Sequence, residues 1–224
     1  MDGTSLARSV GRFANRKEAG ERLSTAVAER VRGGDVVVLG LPRGGVPVAH
    51  EVATALGAPL DVITVRKVGV PWQPELALGA VATGGVTIFN DAVIAEIDLK
   101  EGTVGELVER ERSELERREA LYRQGRPPLE VDGRTVVVVD DGIATGASIR
   151  AAVEAVRRRG AAVRVVAVPV APPETVRALE AEADQVICLQ APPHLMAVGA
   201  WYDDFTPVSD QEVIRLLRLP RDAR

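Results

Sequence analysis

The chain of 224 residues is 46% hydrophobic and 27% charged with a net charge of −4, which supplies one substantial core but no basic field suited to nucleic acid as main partner. A single cysteine, Cys188, excludes an internal disulfide, and two histidines without a nearby Cys or acid cluster exclude a structural zinc or Cys-His centre. No run of about eighteen apolar residues offers a membrane span, and Met1 to Asn15 holds no signal-type apolar stretch, so a cytoplasmic location is expected.

In chain order, the pattern predicts a helix over about Lys17 to Arg32, a buried strand at Asp35 to Leu39, a turn at Gly40 to Gly45 and a helix from Val46 to Leu56 closed by Gly57. A strand at Leu60 to Val65 precedes a segment, Lys67 to Gln73, whose Gly and Pro suggest a flexible loop. Weaker strand signals follow at Leu78 to Ala82 and Val86 to Phe89. The order is then interrupted by a highly charged helix, Thr103 to Arg123, with Thr103 and Glu106 in capping-box spacing and a narrow apolar stripe at Val104, Leu107, Val108, Leu115, Leu121 and Tyr122.

The strongest strand, Thr135 to Val139, feeds a turn at Asp140 to Ala147 and a helix from Ser148 to Arg159 closed by Gly160. Strands at Val163 to Val170 and Gln185 to Leu189 follow, the latter carrying Cys188 as a packing residue, and a helix at Ser209 to Leu217 ends the series. Valine-rich runs alternating with helices predict an α/β fold, with a mainly parallel sheet flanked by helices. One domain over 1–224 is expected, with a helical insertion at about 91–132 and a C-terminal segment at about 191–224.

The turn after the strongest strand carries the chemistry. Small residues allow the backbone N–H groups of Thr145 to Ser148 to converge on an anion, the following helix N-terminus adds its positive end, and the hydroxyls of Thr145 and Ser148 are further donors. Just upstream, Asp140 and Asp141 suit the opposite task, since ionised acids accept hydrogen bonds from vicinal sugar hydroxyls and repel phosphate. The string is therefore built for a sugar phosphate. No Gly-x-Gly-x-x-Gly dinucleotide fingerprint follows a predicted strand, and no Gly-Lys-Ser/Thr phosphate loop is present.

The segment Val136-Val137-Val138-Val139-Asp140-Asp141-Gly142-Ile143-Ala144-Thr145-Gly146-Ala147-Ser148 closely resembles the motif with which type I phosphoribosyltransferases bind 5-phosphoribosyl-1-pyrophosphate (PRPP). The resemblance implies a Rossmann-like sheet, Asp140 and Asp141 on the ribose hydroxyls, and a 5-phosphate cradle formed by Ala144, Thr145, Gly146, Ala147 and Ser148. Gly142 departs from the aliphatic residue often found there. Leu41-Pro42-Arg43-Gly44-Gly45 resembles the family's pyrophosphate loop, with Gly44 and Gly45 permitting close backbone approach and Arg43 offering forked donors. Val65-Arg66-Lys67-Val68-Gly69 resembles the strand before the family's mobile catalytic loop, which makes Lys67 the candidate second cation for pyrophosphate.

The family's variable hood covers the base, so the aromatic-rich stretch Pro192 to Phe205 makes Trp201 and Tyr202 candidates for stacking on or covering it; the other reading is an aromatic patch that anchors the last helix. Phe13 to Arg16 and the arginines of Arg117 to Arg126 are further candidates for the hood, with surface solvation as the alternative. Ala144 stands where the family's 6-oxopurine branch carries an Asp that handles the base's ring proton, so the chain resembles the adenine and some other branches more than the hypoxanthine-guanine branch, with Asp203 or Asp204 of the hood as the alternative source of that acid. The implied reaction is Mg²⁺-dependent transfer of phosphoribose to a nitrogenous base, with Mg²⁺ held mainly through PRPP and with Asp140 and Asp141 as its candidate protein ligands. A homodimer is also implied. A PRPP-sensing regulator without catalysis is the second reading, and phosphorolysis or hydrolysis of a related sugar phosphate a third.

Overall fold

The computed structural model describes residues 11–31, 34–97 and 102–218. The first helix, α1 (Arg16–Arg30), is started by Asn15, whose side chain accepts from the Glu18 N–H at 3.0 Å while Glu18 reaches back to the Ala14 N–H at 2.5 Å. This reciprocal capping fixes where the helix begins and hence where Arg16 points. Strand β1 (Val36–Gly40), helix α2 (Gly45–Leu56) and strand β2 (Leu60–Val62) form the first parallel unit. Gly57, at φ +61°, closes α2 in the left-handed conformation that glycine adopts without steric cost.

The predicted strand Leu60 to Val65 is two strands. β2 stops at Val62, and after Ile63 and Thr64 the chain enters β3 (Val65–Val70), which pairs antiparallel with β4 (Gln73–Ala82). Lys67 to Gln73 is accordingly a hairpin instead of the expected loop. Pro71 and Trp72 occupy its turn, and Val68 and Val70 point into a core while Lys67 is exposed. That alternation is a strand signature that Gly69 and Pro71 obscured. β5 (Val86–Phe89) completes a three-stranded antiparallel sheet.

Helix α3 (Asp91–Glu96) and the long α4 (Thr103–Arg123) follow. The expected capping box does not form: Gly102, at φ +85°, holds the N-cap position and Thr103 is already helical. Leu107, Val108 and Leu115 pack on Val68, Val70, Leu78 and Val81 of the antiparallel sheet, whereas Leu121 is exposed. The far end of α4 is fixed by a buried ionic cluster. Arg123 donates to Asp61 at 3.0 and 3.1 Å and to Glu119 at 2.7 Å, and Glu119 also accepts from the Thr83 hydroxyl.

The remaining elements are β6 (Thr135–Val139), α5 (Ala147–Arg158), β7 (Val163–Val170), α6 (Pro173–Glu180), β8 (Gln185–Gln190) and α7 (Asp210–Arg218). Five strands make one parallel sheet in the order β2-β1-β6-β7-β8. Alternate valines of its central strands feed opposite faces. Val38, Val137, Val139 and Val165 pack with α1, α2 and α7, while Val37, Leu39, Val136, Val138 and Val166 pack with α5 and α6. Both faces are covered, which is why the strands read as unbroken apolar runs. Cys188 lies half-buried on the edge strand, its thiol donating to the Gln190 carbonyl at 3.0 Å. Among the described residues no helix is long and apolar enough to cross a membrane.

Candidate functional site

In the parallel sheet β1 and β6 are neighbours, yet α2 carries the chain from β1 outward to β2 while α5 carries it from β6 outward to β7 on the other side. The loops leaving β1 and β6 therefore diverge, and the crevice between them at the strands' carboxyl ends is where open α/β sheets bind ligands. The two loops are 41–44 and 140–146, the segments that carry the sequence signals. Leu41 N–H still donates to Val139 O at 2.9 Å, so the loops separate only beyond that point.

Glycine is obligatory at the contact between them. A Cβ on Gly44 would collide with the Asp141 carboxylate, and one on Gly45 would lie 2.7 Å from Val139 O and 2.9 Å from the Asp140 Cα. The peptide between Pro42 and Arg43 is cis. Gly142 is explained by crowding as well: a Cβ there would stand 2.5 Å from Val198 and 2.9 Å from Val170, so a side chain from the C-terminal segment fills the space that an aliphatic residue would need.

Burial, followed by the neighbouring Asp141 charge, holds the Asp140 carboxyl well above the usual aspartate range. Burial also raises Asp141, but its Oδ2 accepts from Arg16 Nε at 2.7 Å, which opposes the rise. Two adjacent carboxylates thus share one guanidinium, an arrangement that favours ligands bringing hydroxyl donors or a cation. Among the described residues no group of three or more His, Cys, Asp or Glu gathers as a metal cage. The donor set fits a Mg²⁺ ion held mostly by ligand oxygens.

The phosphate side is a braced, open turn. Ile143 N–H donates to Val170 O at 2.9 Å and the Thr175 hydroxyl to Ala144 O at 3.2 Å, so α6, which the sequence pattern did not reveal, supports the loop. Gly146, at φ +78°, is the N-cap of α5. Ala144, Thr145, Ala147 and Ser148 are exposed, and the first N–H groups of α5 have no intrahelical partner, so the turn presents donors outward.

Asp140 and Ser148 also line a cavity of about 140 Å³, together with Leu41, Pro42, Thr64, Arg66 and Arg118 among others. Acid pair, helix N-terminus and arginine-lined cavity thus adjoin one another. A family model for the phosphoribosyl transferase domain matches residues 9–202. The chain belongs to the type I phosphoribosyltransferase family.

It is 47% identical over 211 residues to a Mycobacterium tuberculosis H37Rv protein named "Putative phosphoribosyl transferase Rv0571c", covering 94% of this chain and 47% of that protein. It is 29% identical over 161 residues to "Bifunctional protein PyrR" of Streptomyces coelicolor, covering 71% of this chain and 60% of that one. The chain thus spans about half to three-fifths of the length of these curated relatives. The crystal structure of TT1426 from Thermus thermophilus is similar in fold, with TM-score 0.81 and 47% identity, covering 92% of this chain and 97% of that chain.

Within this phosphoribosyltransferase fold the expected cations are redistributed. Lys67 does not face Asp140: strand alternation turns it into a separate groove of about 750 Å³ beside α5, and Arg66 lines the Asp140 cavity in its place. Arg66 is paired with Glu111 at 2.7 Å and Arg118 with Glu114 at 3.0 Å. Arg43 is exposed at the rim, 3.9 Å from Asp210. The charged helix α4 therefore joins the site.

Tyr202 is not a stacking face. Its side chain is 1% exposed, its ring is 5.5 Å from Phe13 and 5.0 Å from Phe205, and its hydroxyl donates to Asp141 O at 2.5 Å. It braces the acid from below. Trp201 is half-buried beside that cluster, and its carbonyl accepts from Phe13 N–H at 2.8 Å. Asp203 pairs with Arg12 at 3.1 Å and Asp204 accepts from the Thr206 N–H at 2.9 Å, so both hood acids are turned to local partners. Phe13 pairs with Tyr202 of the C-terminal segment through a parallel bridge, and Arg16 of the same stretch donates to Asp141.

Proposed function

We propose that this domain binds PRPP with Mg²⁺ and transfers its 5-phosphoribosyl group to a nitrogenous base with release of pyrophosphate. The observation that carries the reading is the acid pair at the β1/β6 divergence, adjoined by both the open N-terminus of α5 and the Arg66/Arg118 cavity. Asp140 and Asp141 would accept the ribose hydroxyls, the turn from Ala144 to Ser148 the 5-phosphate, and the arginine cavity the pyrophosphate. A base nitrogen attacks the anomeric carbon as its bond to the pyrophosphate oxygen breaks. The bonding pair leaves with pyrophosphate, and the nitrogen loses its proton. Fixing 5-phosphate and ribose sets the line of attack, and the guanidinium groups offset charge on the leaving oxygens. Asp140 and Asp141 would help to hold Mg²⁺, which when bound would supply further charge neutralisation for the leaving group. Trp201 is the candidate for covering the base, and the base itself is the unknown of the reaction.

A regulator that senses PRPP is the second reading, favoured by the pairing of Arg66 and Arg118 with Glu111 and Glu114, which partly neutralises both cations before any ligand arrives. Incubating the protein with PRPP, Mg²⁺ and a panel of purine, pyrimidine and related acceptors while following pyrophosphate release decides between them. Release with one acceptor supports transfer. PRPP binding without release across the panel supports the sensor.

Two variants test the geometry. Gly44→Ala is expected to weaken PRPP binding at least about tenfold, because its Cβ displaces the Asp141 carboxylate; unchanged affinity by calorimetry would show that Asp141 does not need its present position. Arg66→Ala should weaken PRPP about tenfold while leaving ribose 5-phosphate unaffected, and Lys67→Ala should change neither more than about twofold. The reverse ranking would restore Lys67 as the pyrophosphate cation.

A further inference from the structure

We propose that Arg16 is a positioning residue: it orients Asp141 for the ribose and fastens the hood segment to that acid. The assignment rests on the reading that Asp141 meets the ribose hydroxyls. Arg16 opens α1, about 125 residues before the acid it touches, and no motif marks it. Its Nε donates to Asp141 Oδ2 at 2.7 Å, its Nη1 donates to Thr206 O at 2.9 Å, and its guanidinium carbon lies 3.8 Å from the centre of the Phe205 ring. A planar, forked, always-charged group can meet a carboxylate, a carbonyl and an aromatic face together; an ammonium cannot.

The Arg16 side chain is 11% exposed and that of Asp141 14%, so this is no solvated surface pair. In such surroundings an ion pair holds a fixed geometry, and removing one partner leaves the other charge buried and uncompensated. Asp141 Oδ2 is committed to Arg16 on one side and closed in by Gly44 on the other, which assigns Oδ1 to the ligand. Its backbone is held too, by the Tyr202 hydroxyl on the Asp141 carbonyl. The same N-terminal segment pairs with the hood backbone: Asp203 N–H donates to Phe13 O at 2.8 Å and Asp204 N–H to Ala14 O at 2.9 Å. Arg16 is therefore the side chain that ties this paired segment, at Phe205 and Thr206, to the ribose acid.

Calorimetry with ribose 5-phosphate and with PRPP, each with Mg²⁺, tests this. Arg16→Ala is expected to weaken both ligands alike, by about ten- to a hundredfold, because the contact acts at the ribose they share. Arg16→Lys, which keeps the charge and loses the fork, should weaken them about threefold. In an Asp141→Asn background Arg16→Ala should cost less than about twofold, since an effect exerted through Asp141 has then already been lost. A purely structural role would lower thermal stability and add its full effect to Asp141→Asn, and that result overturns the assignment. Wild-type affinity in Arg16→Lys overturns the need for a fork, and the Lys variant carries the test if the Ala variant does not fold. If wild type binds neither ligand, the functional reading falls and Arg16 with it. If wild type binds and Arg16→Ala matches it, the Arg16 assignment falls alone.

Discussion

Replacing Asp140 and Asp141 together by asparagine is expected to lower PRPP affinity by at least about a hundredfold and to leave the protein folded at neutral pH. The affinity loss follows from two charge-assisted hydrogen bonds to ribose hydroxyls, each contributing about 1.5–3 kcal/mol, being exchanged for weaker amide contacts. The stability follows from the carboxyls themselves. Both are held above the ordinary aspartate value, Asp140 chiefly by burial and then by its neighbour's charge, so the folded state resists ionising them. A folded pKa above the unfolded one means that the native state binds the proton more tightly. This contribution therefore opposes folding at neutral pH and favours it as pH falls through the folded pKa towards 3.8. Asparagine removes the ionisation and with it the ion pair that positions residue 141 on Arg16, so relief of the buried acids is set against an uncompensated guanidinium. Mild acidification should then stabilise the wild type relative to the double variant in urea titrations. A double variant that binds PRPP normally, or that unfolds at neutral pH, would sink the assignment of these acids to a ligand-binding task.

The parts of this fold that sequence patterning shows are those where local chemistry and tertiary role agree. Valine runs bounded by Gly or Asp became the parallel strands, with β6 and β7 at their predicted limits, because strands buried on both faces need no alternation to be recognised. The string from Asp140 to Ser148 was legible because phosphate cradles demand small residues in an unusual order along one continuous segment. The hairpin of β3 and β4 was hidden because its alternation is interrupted by Gly69 and Pro71, and Lys67 was assigned to the cavity before strand parity could be known. A one-residue change of face separates Lys67 from Arg66, and only pairing register decides it. α6 was missed because its eight residues carry too short a pattern. Tyr202 illustrates a different limit: an aromatic beside a ligand site and an aromatic anchoring a hood look alike in sequence, and what distinguishes them is that Phe13 and Phe205 close both sides of its ring. Arg16 and Arg118 fall in segments that the sequence offers only as hood candidates, since what they meet lies far along the chain, Asp141 for Arg16 and the cavity that Asp140 lines for Arg118.

Arg123→Ala is expected to destabilise the protein by about 3–5 kcal/mol, more than any other single truncation of a charged residue considered above. Arg123, Asp61 and Glu119 are all buried, and the guanidinium makes four hydrogen bonds inside the cluster, two to Asp61, one to Glu119 and one to Val62 O. Removing it leaves two carboxylates buried with no cation bonded to them; the nearby Arg159 is turned to the Leu129 carbonyl at 2.8 Å. Their other hydrogen bonds, from the Leu129 and Val62 N–H groups to Asp61 and from the Thr83 hydroxyl to Glu119, come from neutral donors that cannot replace a full charge. The argument predicts a rescue as well. Arg123→Met combined with Asp61→Asn and Glu119→Gln removes all three charges, keeps acceptors for Leu129 and Thr83, and should recover most of the loss, as replacing a whole buried ionic cluster generally does. A functional consequence follows from the position of the cluster. It pins the C-terminal end of α4, just beyond Arg118, to β2 and the turn after β4. Freeing that end should withdraw Arg118 from the cavity beside Asp140, so the Ala variant, where still folded, should lose affinity for PRPP more than for ribose 5-phosphate. Urea unfolding of the two variants, with calorimetry of both ligands at low urea, measures each part. A loss below about 1 kcal/mol in Arg123→Ala would mean that water reaches the cluster and that α4 is held by its apolar face on the antiparallel sheet alone.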